Sequence, residues 1–151
     1  MTEEELKILL DRFLDRTLPA AEWTHEAHLL VGLMLARRLP QDALLPNLRQ
    51  TISAYNLATG GHNTEEAGYH ETVTAFYAAT LGAFARASLQ LSAAQAAERL
   101  LASSLADRKI VLRAYDEHTL KTKAARLAYR PPDRVDFSAV GLAMECLGDA
   151  G

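Results

Sequence analysis

Residues 24–38 read Thr-His-Glu-Ala-His-Leu-Leu-Val-Gly-Leu-Met-Leu-Ala-Arg-Arg, and the fold turns on them. Thr24 carries a side-chain oxygen suited to accept the first free N–H groups of a helix, which makes it an N-cap. From Ala27 to Ala36 every residue except His28 is apolar or glycine, so the helix has no broad polar face to turn toward water. A helix of that kind must be covered by neighbours on several sides. The stretch therefore predicts a central, buried helix running from Thr24 to Arg38.

The flanking sequence supplies the neighbours. Thr2 and Glu5 form a capping-box pattern, and Leu6, Leu9, Leu10 and Phe13 then fall on one face of a first helix that Leu18-Pro19 stops. Pro40 breaks the chain after the second helix. Pro46 fits the first turn of a third helix carrying Leu48, Ile52 and Tyr55, and Gly60-Gly61 ends it. Asn63 with Glu66 predicts a cap for a fourth helix that continues through Tyr77 to Ala87. Ser92 with Gln95 opens a fifth, Asp107 caps a sixth, the 116–130 segment is again helical up to Pro131-Pro132, and a short helix spans 138–147. Periodicities of three and four recur and β-branched alternation is missing, so the expectation is an all-α bundle of about six to seven helices forming one domain over residues 1–151.

Composition narrows the function. A net charge of −3, with 16 basic and 19 acidic residues dispersed along the chain, builds no basic stripe for a phosphate backbone, so nucleic acid is not expected as a partner. Cys146 is the only cysteine, which excludes an internal disulfide or a cysteine-based zinc site and fits a reducing, cytoplasmic compartment. The acidic opening Thr2-Glu3-Glu4-Glu5 is unlike a signal peptide, and no apolar run reaches the roughly 18 residues of a membrane span.

Chemistry concentrates near two predicted helix starts. Short connections make consecutive helices antiparallel, so the second and fourth run the same way and their N-termini share one end. His25 and His28 lie three residues apart in the second helix and can direct their imidazoles to a common point. His70 and Glu71 stand near the start of the fourth, about 100° apart around a helix. We expect His25, His28 and His70 to hold a divalent transition metal (Zn, Fe or Ni), with Glu71 as a fourth ligand, a support for one imidazole, or a general base. Tyr55, Asn56, Asn63, Thr74, Tyr77 and Arg126 are the candidate lining for a small, anionic ligand drawn by the two helix N-termini. Gly32, one turn after His28, leaves room for an ion or a neighbouring helix. His62 in a Gly/Asn loop and His118 in an Asp-Glu-His run read as surface residues.

The strings Trp23-Thr24-His25-Glu26-Ala27-His28-Leu29, Tyr69-His70-Glu71-Thr72-Val73-Thr74, Ala125-Arg126 and Pro132-Asp133 resemble a family of small bacterial all-helical proteins with W-T-H-x-x-H-L and Y-H-E-T-x-T motifs. The resemblance covers about residues 20–135 in motif order. It implies that His25, His28, His70 and Glu71 belong to one site, and it carries no reaction with it. At the level of architecture, the chain is also similar to DinB-like bundles, which hold a metal with histidines from separate helices.

Three functions are expected, in order of preference. The favoured one is a small metal-dependent enzyme using the three histidines. The second is a metal-free protein that binds a small ligand or moves a proton with one histidine and Glu71. The third is a helical interaction module, with exposed leucines forming a homodimer seam.

Overall fold

Thr24 Oγ1 accepts the Ala27 N–H at 3.2 Å, and the helix it caps, α2, runs His25–Arg38 as the sequence predicts. The computed structural model describes residues 1–149, so Ala150 and Gly151 of the expected domain lie outside the described residues. Those described are helical with no strand: α1 (Glu3–Leu14), α2, α3 (Gln41–Ala58), α4 (Glu71–Ala87), α5 (Ala93–Leu101), α6 (Glu117–Leu120), α7 (Lys123–Leu127) and α8 (Ala139–Asp149). Short 3₁₀ turns at Ala20–Glu22, Ser104–Ala106 and Arg108–Arg113 complete the path. No described helix is long and apolar enough to cross a membrane.

Local chemistry explains most boundaries. Thr2 Oγ1 caps α1 through the Glu5 N–H, and Ser92 with Gln95 forms a reciprocal capping box at α5. Asp107 Oδ1 accepts the Lys109 N–H, so it caps as expected, but it opens the 3₁₀ turn rather than an α-helix. The 116–130 segment is two short helices, because Thr122 starts a new cap on Ala125 N.

Two boundaries differ from the expectation. α3 begins at Gln41 with Pro40 as its cap, so Pro46 sits inside the helix, past the first turn. It still ends at the glycines: Gly61 N–H donates to Asn56 O and Gly60 N–H to Leu57 O, with Gly60 at φ 89°, the Schellman arrangement. Asn63 does not start α4. The chain instead turns through Thr64 to Gly68, whose φ of 86° interrupts any helix, and α4 starts at Glu71 with His70 as cap.

Among the described residues, most of the buried apolar side chains form one cluster, from Leu6 of α1 to Cys146 of α8. α2 is buried as expected, yet the hub is α4, which packs against α8, α2, α3 and α7. Its alanines and Gly82 let neighbours come close. Its buried hydroxyls are satisfied, Thr80 Oγ1 donating one turn back to Phe76 O and Thr72 Oγ1 across to Ala125 O of α7.

Candidate ligand pocket

α2 and α4 run in the same direction, because contacts between them advance together: His25 meets Tyr77, their rings 5.9 Å apart, and Gly32 faces Leu81. Their N-termini are not level, however. His70 lies seven residues upstream of Tyr77, about 10 Å at the rise of an α-helix. That stagger separates the predicted site residues into two groups.

The first group lines a cavity of about 380 Å³ between α2, α3, α4 and the 108–113 turn. Its walls are mostly apolar: Trp23, Leu29, Leu48, Ile52, Val73, Leu81 and Val111. Its polar lining comes from His25, His28, Thr74, Tyr77 and Arg108, and no carboxylate among the described residues lines it. An apolar concavity with a few convergent polar groups is the usual form of a small-ligand site. The space beside Gly32 is taken by the neighbouring helix, since a Cβ there would stand 2.5 Å from Leu81 Cδ1.

His28 is the best-defined polar group of the pocket. Its ring stacks on Trp23 at 3.7 Å between centroids, and Trp23 stacks in turn on Phe13 at 4.5 Å. Nδ1 lies 2.6 Å from the Thr24 carbonyl, which can only accept, so Nδ1 carries the proton. Desolvation by the surrounding protein lowers the pKa to about 4; the Thr24 bond opposes the shift, while His25 and Arg108 add to it. The residue is nevertheless exposed, since its ring stands on the wall of an open concavity. The result is a neutral imidazole whose Nε2 lone pair has no partner among the described residues.

His25 points its Nε2 at the Leu105 carbonyl, 3.2 Å away, so that nitrogen donates and Nδ1 is the acceptor of its neutral form. Tyr77 carries a hydroxyl whose pKa burial pushes up to about 12, keeping it a donor.

The second group is a separate cluster. His70 caps α4: its Nδ1 accepts the Val73 N–H at 3.2 Å and its Nε2 donates to Leu120 O at 2.7 Å. Both ring nitrogens are thereby engaged, which leaves no lone pair for a metal. Glu71 receives Arg49 in a two-pronged bond of 3.0 and 2.7 Å, and the Tyr69 hydroxyl at 2.6 Å. The Arg49 bond holds its carboxyl below the usual range, against a smaller opposing effect of burial. Arg126, expected to meet a bound anion, donates to Gly68 O at 2.8 Å and lines a smaller cavity of about 280 Å³ with Glu71 and Asn63.

The structure therefore brings His25, His28, Thr74 and Tyr77 together, and it does not bring His70, Glu71 or Arg126 to them. Among the described residues no three His, Cys, Asp or Glu side chains are grouped so as to hold a metal, and the expected ligand set does not fit one ion. Tyr55 is core, 1% exposed, its hydroxyl donating to Leu18 O at 2.7 Å. Asn56 and Asn63 bond to each other and pin the 60–70 loop, Asn63 also donating to Ser53 O and accepting from Tyr69 N. Thr74 Oγ1 donates to His70 O. His62 and His118 are exposed, and neither lines the pocket.

Sequence reasoning missed the roles of Trp23 and Arg108. Trp23 stands just before a cap, and an aromatic there usually signals packing. Arg108 comes directly after a capping aspartate and precedes a lysine, a pattern that reads as solvated surface. No known family model, curated protein or solved structure matches the chain.

Proposed function

We propose that the chain is a small-molecule-binding protein whose pocket takes a largely apolar ligand, with His28 Nε2 accepting a hydrogen bond from it. The observation that carries this reading is a neutral imidazole with an unclaimed lone pair in an apolar cavity of about 380 Å³. The magnitude of the shift favours binding over proton abstraction. A group whose pKa is about 4 is a weak base near neutral pH, well below the match that general-base catalysis uses.

Trp23, the only tryptophan, reports directly because it stacks on His28. A panel of alkyl and aryl alcohols, from butan-1-ol to 3-phenylpropan-1-ol, is titrated against its fluorescence. Saturable changes that weaken about tenfold in His28→Ala, the worth of one hydrogen bond, support the reading. Identical titrations of the native chain and the variant overturn it.

A second reading keeps a metal, and the spacing of His25 and His28 favours it: each has one ring nitrogen without a partner among the described residues. His25 Nδ1 and His28 Nε2 would be the nitrogens to hold an ion there, which would supply Lewis-acid chemistry to a bound molecule. Elemental mass spectrometry of the native chain and His28→Ala, after incubation with Zn, Fe, Ni or Mn salts, tests it. Metal in the native chain alone supports this reading, and equal content in both overturns it.

A further inference from the structure

We infer that the pocket selects a monocarboxylate with an apolar body, its carboxylate held by Arg108 and the Tyr77 hydroxyl; this rests on the small-molecule reading above. Arg108 lines the pocket and makes no hydrogen bond or ion pair among the described residues. Its charge is felt inside, at both His28 and Tyr77. Several other arginines are tied, Arg49 to Glu71, Arg37 to the Ser88 and Leu91 carbonyls and Arg134 to Asp116, and those without a side-chain bond among the described residues, Arg16, Arg38 and Arg130, do not line the pocket.

Tyr77 Oη likewise has no partner among the described residues, and its desolvation keeps it a neutral donor. A guanidinium and a hydroxyl that line the same pocket suit an anion, and no described Asp or Glu lines the pocket to repel one or to attract an amine. Asp107, the neighbouring carboxylate, acts on Tyr77 more strongly than Arg108 does, but it does not line the pocket and its Oδ1 accepts the Lys109 N–H at 2.9 Å. The mostly apolar walls offer a charged partner to one group of the ligand, not two. His28 Nε2 repels a carboxylate oxygen, which directs the anion toward Arg108 and leaves the imidazole to a donor elsewhere on the ligand.

The test uses three probes that share one body: 3-phenylpropanoate, 3-phenylpropan-1-ol and 3-phenylpropan-1-amine, each titrated against Trp23 fluorescence and checked by calorimetry. The carboxylate is expected to bind at least about tenfold more tightly than the alcohol, the size of a charge-assisted hydrogen bond, and the amine least. Arg108→Gln is expected to bring carboxylate and alcohol level with the circular dichroism spectrum unchanged, and Arg108→Lys to keep part of the preference. Equal affinity for carboxylate and alcohol in the native chain, or a preference that survives Arg108→Gln, overturns the inference but leaves the pocket reading standing. Failure of all three probes, together with the alcohol panel, overturns both.

Discussion

The imidazole of His28 lies face to face with the indole of Trp23, 3.7 Å between centroids and 28° between planes. The pair joins the two things the pocket needs, an apolar wall and a polar acceptor. It also couples the protonation of His28 to a signal that can be read.

An imidazolium accepts an electron from an excited indole, so protonation of His28 is expected to quench Trp23. The quench should track a pKa of about 4 rather than the ordinary 6.5, and it should vanish in His28→Gln. Stability obeys the same shift. The folded state binds the proton less readily than the unfolded chain, so stability is full above 6.5, falls as pH drops from 6.5 to about 4, and levels off below. Urea unfolding at a series of pH values checks this, with His28→Gln losing that part of the slope.

His70→Ala removes the acceptor for Val73 N–H and the donor to Leu120 O. The loss of a cap and of one long-range bond is expected to cost about 1–2 kcal/mol. Ligand binding should not change, because His70 is outside the pocket. Denaturation and the Trp23 titration separate the two effects.

Tyr55→Phe leaves the Leu18 carbonyl without its buried donor. A destabilisation of about 1–2 kcal/mol is expected, again with unchanged ligand affinity. A large loss of affinity would instead place Tyr55 in the site.

Glu71→Gln breaks the two-pronged bond to Arg49 that ties α4 to α3. With Arg49 half exposed, the pair is worth about 1 kcal/mol at most. Because the Glu71 pKa is lowered, that contribution is present above 4.5 and is lost as pH falls through the folded-state value. Chemical denaturation at neutral and acid pH checks both the size and the sign.

Most helix limits are legible because they depend on neighbours in sequence. Thr2, Thr24 and Ser92 cap the helices they precede, Asp107 caps its 3₁₀ turn, and Gly60-Gly61 closes α3, since each such bond spans only a few residues. Asn63 misleads about the start of α4, because its side chain has the right chemistry but spends it on Ser53, Asn56 and Tyr69. Gly68, with its positive φ, shows why a helix could not begin there.

Periodicity, capping and short connections act locally, and they suffice for an all-helical chain, for the placement of His25 and His28 on one helix, and for the shared direction of α2 and α4. Which polar groups meet is a matter of tertiary packing. The stagger of α4 against α2, set by how Leu81 packs over Gly32 and Tyr77 against His25, carries His70 and Glu71 away from the histidine pair and leaves Arg108, distant in sequence, to take a place on the pocket wall. Axial offset between packed helices depends on the fit of side chains from separate elements, and no spacing within one element encodes it.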